Sequence, residues 1–276
     1  SVITGSDLFV PLAEQYGINI FYKDRKGLSL TPEGEILVKY AQRIVALEER
    51  AKQALSDSAK RVSKYNVGIT ATLAEYLVSQ IFVIYCNDHP GIHINIVTDT
   101  ATNIYNRLSE YQLDWAIVEG KVPGTSYTSI LLDTDFLCLV VSPQHDLASR
   151  NNVSLSELKK ERFILRSSTA GTRTLFESHL RSRSEEINNF NIVIEIDSIK
   201  TIKELVLANL GVTIIAYSAV KEEVNEGKLV VVPIENLNMV REINIVYHRD
   251  FRHTEIFKDI RKIYNSQTGS THPKSS

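Results

Sequence analysis

The chain has 276 residues, and Lys plus Arg (31) nearly balance Asp plus Glu (33), for a formal net charge of −2. With 43% apolar and 23% charged residues this is ordinary globular composition, long enough for two domains. Apolar runs such as residues 136–141 are far too short to cross a bilayer, and no apolar leader opens the sequence. Two cysteines, Cys86 and Cys138, cannot build a disulfide framework or a metal cluster, and they point to a reducing cytoplasm. The balanced charge leaves nucleic acid open as a partner, because a local basic patch is enough. Met239 is the only methionine, which reads as a chain cut or processed at its start.

Two short apolar-alternating runs around Lys23-Asp24-Arg25-Lys26-Gly27 predict a hairpin over residues 20–31. Thr31 is a good helix N-cap, Pro32 suits the first helical position, and Glu33 and Glu35 place acid in the first turn. From there to about residue 60 there is no further proline, and Leu37, Tyr40, Ile44, Leu47, Ala51, Ala54 and Ser58 recur at steps of three and four. That is a seam about three heptads long, which buries itself on its own domain or, as the spacing favours, against the same helix of a second chain.

After residue 63 the pattern alternates. Strands are expected at 65–69, 92–98, 113–118 and 136–141, with helices at 72–87 and 102–112 between them. A second unit repeats the scheme, with strands at 163–165, 192–196, 212–215, 228–232 and 242–247. Its helices fall at 172–183, 199–208 and 218–226, and a last helix at 254–265 closes the fold before a loose tail. Strand–helix alternation of this kind is the α/β doubly wound arrangement.

The run Ile20-Phe21-Tyr22-Lys23-Asp24-Arg25, then Leu30-Thr31-Pro32-Glu33-Gly34-Glu35, Tyr40-Ala41 and Ile44 resembles the wing and linker helix of the LysR-type transcriptional regulators. Gly171-Thr172-Arg173, Leu210-Gly211-Val212 and Gly227-Lys228-Leu229-Val230 fit the same family, in order, to about Tyr264. The resemblance implies a partial winged helix-turn-helix in residues 1–34, a dimerisation helix in 35–63, an effector-binding domain in 64–267 and a tail in 268–276. The effector domain would be two-lobed and periplasmic-binding-protein-like (type 2). Lobe one would span about 65–142 and 245–267 and lobe two about 143–244, with crossings near 141–144 and 243–247. The first helices of such a DNA-binding domain do not match, and Asp7, Val10 and Pro11 stand where groove-facing residues belong. The chain therefore reads as N-terminally truncated or as carrying a degenerate DNA-binding element.

In such a fold a ligand sits at strand ends leading into helices, where free backbone N–H groups and the helix dipole favour an anion. Four hydroxyl-rich junctions qualify and give the expected effector contacts Thr70, Thr72, Thr100, Thr102, Arg166, Ser168, Thr169, Thr172 and Ser198. Each hydroxyl is equally a plain helix cap. Arg173 either joins the ligand site or pairs with a surface carboxylate. Lys23, Arg25 and Lys26 are expected to touch DNA phosphates from the wing. Leu37, Tyr40, Ile44, Leu47 and Ala51 are the expected dimer contacts.

No catalytic constellation emerges. His89 and His93 are split by Pro90-Gly91, Cys86 and Cys138 read as small core residues, and phosphate-binding glycine motifs are lacking. The expectation is a cytoplasmic, non-enzymatic regulator that needs no cofactor or metal. It senses a small anionic metabolite between its lobes and rearranges dimers or tetramers on DNA. The alternative is a transport solute-binding protein of the same two-lobed fold, which would have no use for a wing or a heptad helix.

Overall fold

The computed structural model describes residues 5–24, 27–60, 63–251 and 253–268. Helix α1 (Gly5–Tyr16) runs through Pro11, which gives up one backbone donor without ending the helix. Gly17, at φ 62, closes it. Strands β1 (Phe21–Asp24) and β2 (Gly27–Leu30) form the expected antiparallel hairpin, with Phe21 opposite Leu30. Lys23 is exposed on it, while Arg25 and Lys26 lie outside the described residues.

Helix α2 spans Pro32–Lys60, 29 residues, and the Thr31 hydroxyl caps it by accepting the Gly34 N–H at 2.9 Å. Its exposed apolar stripe runs Ile36, Tyr40, Ile44, Leu47 and Leu55, each 45–74% exposed, with Ala51 also exposed. Leu37, expected in the seam, is half-buried, so the stripe starts one residue earlier. Arg50 ties the helix to the α/β portion of the chain. Its guanidinium donates to Asp114 Oδ1 at 2.6 Å and lies over the Tyr111 ring, while Asp114 Oδ2 accepts the Asn66 N–H at 2.6 Å.

Strand β3 (Ser63–Thr70) leads into α3 (Ala71–Leu77), a π turn (Val78–Phe82) and α4 (Val83–Asp88), where the sequence suggested one uninterrupted helix. Next come β4 (Ile92–Asp99), α5 (Ala101–Ser109) and β5 (Trp115–Glu119). Strands β4 and β5 flank β3 in parallel. Strand β6 (Tyr127–Val141) is 15 residues long, more than twice the apolar run that announced it, because its first half mixes short polar and apolar stretches. Then come α6 (Leu155–Leu158), β7 (Arg162–Leu165), α7 (Gly171–Arg181), β8 (Asn191–Glu195), α8 (Ile199–Leu207), β9 (Thr213–Ala216), α9 (Lys221–Asn225), β10 (Val230–Val232), β11 (Met239–His248) and α10 (Glu255–Thr268).

The strands make one mixed sheet in the order β10-β6-β11-β5-β3-β4, with β9 also on β6, and a separate parallel pair β7-β8. Two cores share it. Trp115, Phe82, Tyr247 and Phe257 centre the first; Phe163, Phe176, Phe190 and Leu139 centre the second. Strands β6 and β11 serve both. Leu132 belongs to the first core and Leu137 to the second, while Met239 belongs to the second and Ile243 to the first. The change of cluster therefore falls inside these two strands, at 133–136, ahead of the crossing expected near 141–144, and at 240–242, beside the one expected near 243–247. An apolar run shows where a strand is buried, not which core it is buried in. The two strands pair antiparallel from Met239↔Leu137 to His248↔Tyr127, with one register shift between Ile243 and Asn244 that leaves Leu132 as the extra residue.

Gly211 shows how tightly the second lobe closes. A Cβ there would collide with the Arg162 backbone carbonyl and touch Ile164 Cδ1 at 3.4 Å. That carbonyl accepts the Val212 N–H at 2.8 Å, so it cannot turn aside. Gly211→Ala should cost about 1–3 kcal/mol by overpacking. A melting curve unmoved by the substitution would show that the β7–β9 junction gives way freely.

Candidate functional site

Where the lobes meet, the sheet brings charges from three strands together. Arg241 on β11 donates from Nη1 to Glu119 Oε1 at 3.3 Å and from Nη2 to Asp135 Oδ2 at 3.2 Å. All three side chains are buried, at 3%, 7% and 5% exposure for Arg241, Glu119 and Asp135. Asp135 is further held by the Ser218 hydroxyl at 2.7 Å and by the Phe136 N–H at 2.8 Å. Glu119 Oε2 accepts the Thr70 hydroxyl. One guanidinium thus spans two carboxylates, and the trio carries one net negative charge. Burial, with the charge on Asp135 adding to it, pushes the nearby Tyr76 phenol well above its ordinary range, so Tyr76 stays neutral here.

The second cation comes from the other lobe. Arg166 directly follows β7, is 5% exposed, and reaches across to donate from Nη1 to Thr72 Oγ1 at 3.3 Å. Its Nε has no hydrogen-bond partner among the described residues; the Asp197 carboxylate stands 3.6 Å away. Asp197 is exposed, and a hydrogen bond from Ser167 (2.6 Å) with the Arg166 charge behind it holds its carboxyl below the usual range. Arg166 is therefore a buried cation with one counter-charge at the solvent edge.

Helix α7 starts beside it. Its N-cap is Ala170, which provides no side-chain cap. Thr172 is 1% exposed, and its hydroxyl has no partner among the described residues. A Cβ on Gly171 would stand 3.4 Å from Glu119 Oε1, so the uncapped helix end of one lobe faces the carboxylate of the other. Arg173 points away: it is buried against Glu177 (2.6 Å) and donates to the Arg166 carbonyl at 3.2 Å, the carboxylate-pairing alternative for that residue.

Of the expected effector contacts, Thr70, Thr72, Arg166 and Thr172 converge on this buried junction. Ser168 and Thr169 are exposed on the loop before α7, and Ser198 is exposed as the cap of α8, accepting the Thr201 N–H at 3.2 Å. Thr100 and Thr102 lie one strand away, since β4 pairs with β3 so that Asp99 opposes Thr70. There Thr100 caps α5 through the Asn103 N–H at 3.3 Å. Asp99 Oδ1 already takes the Thr100 N–H and the Asn103 amide, both at 2.7 Å, so that helix end holds a carboxylate of its own. Glu119, Asp135, Ser218 and Arg241 were not expected from the sequence. Among the described residues no group of three or more His, Cys, Asp or Glu is placed to hold a metal ion, and no helix is long and apolar enough to cross a membrane.

The profile of the family described as "LysR substrate binding domain" matches residues 59–267. Among curated proteins, the chain is 27% identical over 242 residues to a probable RuBisCO transcriptional regulator of Trieres chinensis, covering 85% of this chain and 78% of that protein. It is 28% identical over 256 residues to the protein of the same description from Emiliania huxleyi, covering 91% and 81%. Among solved structures it resembles a hydrogen-peroxide-bound cysteine mutant of Corynebacterium glutamicum OxyR, with a TM-score of 0.65, 22% identity and coverage of 95% and 83%. It also resembles the regulatory domain of Synechocystis CcmR in complex with 2-PG, with a TM-score of 0.64, 17% identity and coverage of 75% and 98%. Both likenesses establish the two-lobed fold. The family match spans three quarters of the sequence and takes in both lobes and the end of the helix that leads into them, so the chain belongs to the LysR family of transcriptional regulators.

Proposed function

We infer that the junction between the lobes is the effector site and that its ligand is a small anionic metabolite. The observation that supports this most directly is Arg166: a buried guanidinium that crosses from one lobe to the other yet leaves Nε without a hydrogen-bond partner among the described residues. Burying a cation so incompletely satisfied is unfavourable unless something else completes it. A carboxylate or oxyanion beside the uncapped start of α7 would do so. The contacts assigned to it are Thr70, Thr72, Arg166 and Thr172 at the centre, with Ser168, Thr169, Ser198, Thr100 and Thr102 further out.

A ligand bridging the lobes favours one angle between them, provided it binds the two arrangements with different affinity. That angle passes to α2 and so to the DNA-binding end of a dimer or tetramer joined along Tyr40, Ile44, Leu47 and Ala51, with Leu37 at the margin. Lys23, Arg25 and Lys26 are assigned to DNA phosphates. The protein acts in the cytoplasm and catalyses no reaction.

Arg166→Gln tests the assignment. Calorimetry against a panel of sulfur-, nitrogen- and carbon-assimilation metabolites, guided by native mass spectrometry of the purified chain, should find a binder whose affinity falls tenfold or more in the variant, or about 1.4 kcal/mol. An apolar or cationic ligand, or one indifferent to Arg166, would remove the anion from this reading.

A further inference from the structure

The two cations at the lobe junction are not equivalent. Arg241 lies between two buried carboxylates, Glu119 and Asp135, although its Nε, like that of Arg166, has no hydrogen-bond partner among the described residues. Among the described residues Arg166 has one carboxylate partner, Asp197, at the solvent edge. The electrostatic field therefore changes sign within the junction: positive at Arg166, Thr172 and the α7 terminus, negative at Glu119. Glu119 cannot leave, because both of its oxygens are held, by Arg241 and by Thr70, and it is 7% exposed. Gly171 keeps the space between this carboxylate and the helix end free of a side chain.

We propose that Glu119 sets the charge pattern the site accepts: a small monocarboxylate carrying a hydrogen-bond donor, hydroxyl or ammonium, next to its carboxylate. The ligand's carboxylate meets Arg166, the Thr172 hydroxyl and the free N–H groups of α7, and the adjacent donor meets Glu119. A second anionic group in that place faces the buried net negative charge of the Glu119–Arg241–Asp135 trio and is rejected. The site selects through this repulsion as much as through attraction. The proposal rests on the junction being the effector site.

Four probes sharing a three-carbon skeleton isolate the effect: propionate, lactate, alanine and malonate, titrated calorimetrically into the full chain. The wild-type protein should bind lactate or alanine at least tenfold more tightly than propionate, which has no donor to offer. It should bind malonate on the order of a hundredfold more weakly than the better of those two, as expected for like charges a few ångströms apart in a poorly screened site. In Glu119→Gln, which keeps the shape and removes the charge, malonate should gain tenfold or more and the lactate or alanine advantage should shrink.

If Glu119→Gln fails to fold, the wild-type ranking of the four probes decides the matter alone. Arg166→Gln separates the existence of the site from its selectivity. If it abolishes binding of the series while Glu119→Gln leaves the lactate-to-malonate ratio unchanged, the role of Glu119 is wrong and the site stands. If Arg166→Gln leaves the series untouched, both fall together; if the wild type binds none of the four, the charge pattern assigned through Glu119 is wrong and the site is judged by the metabolite panel.

Discussion

Arg241→Met should lower the melting temperature of the effector domain by on the order of 10 °C, the largest loss expected from any single substitution in this protein. The side chain is replaced by one of similar length, so little volume is lost. What is lost is the charge between Glu119 and Asp135, which leaves two buried carboxylates facing each other with only hydroxyl and amide donors. Removing one partner of a buried ion pair typically costs about 3–5 kcal/mol, mainly because the remaining charge is stranded. Here two charges are stranded. Adding Glu119→Gln and Asp135→Asn to the same protein should recover part of the loss, since neutral amides repel neither each other nor the apolar strands around them. Differential scanning of the single and triple variants is the measurement. A single variant that melts with the wild type would mean that water reaches the junction and solvates both carboxylates.

The three charges of this network each stand one residue outside the strands that the sequence suggests. The apolar runs imply strands at 113–118, 136–141 and 242–247; Glu119, Asp135 and Arg241 lie immediately beyond them. A charge at the end of an apolar run reads as the point where a strand meets solvent, and usually it is. It stays buried here because each of the three finds its partner on a neighbouring strand far along the chain. Pairing of that kind leaves no local trace. Thr70 and Thr72 were legible because the switch from strand to helix marks itself by hydroxyls and a change of period. Thr100 looked the same and already accepts the Asn103 N–H as the cap of α5, since a pattern that specifies a helix start does not say what already fills it. The order of elements, the hairpin and the cap at Thr31 were all readable for the same reason: each depends on residues within one turn or one hairpin of one another.

Replacing both Ile44 and Leu47 by Glu should convert the assembled protein into single chains. Along α2 the exposed apolar residues Ile36, Tyr40, Ile44, Leu47 and Leu55 form one continuous stripe on a helix whose other faces are polar or packed. Burial against a second copy is worth about 1.5–3 kcal/mol for each large side chain that is fully covered. Two substitutions forfeit that for the centre of the stripe, and the glutamates of the two copies then face one another across the seam. The expected weakening is on the order of a thousandfold, or about 4 kcal/mol. Light scattering coupled to size exclusion should report the mass of one chain at concentrations where the wild type is paired. Because neither residue belongs to the buried clusters of the effector domain, its melting should be unaffected. An assembled variant of unchanged mass would take this helix out of the interface.

The two long strands that pass between the lobes constrain what a ligand can say. Two separate flexible connectors would let the lobes drift apart, slide or turn in any direction. A hydrogen-bonded ribbon ten pairs long permits none of these except twist and bend about its own line, concentrated where Leu132 interrupts the ladder. The same ribbon ends at His248, whose ring packs 4.9 Å from Tyr111, the residue on which Arg50 of the long helix rests. The effector domain thus has the layout of a torsion bar clamped at one end. Its output is a rotation, a single scalar, and every ligand that fits is reported on the same dial. Such a sensor grades its ligands by how far they turn it, so a molecule that binds tightly at the resting angle is a silent competitor, and two chemically unrelated molecules that impose the same twist are indistinguishable to the DNA-binding end.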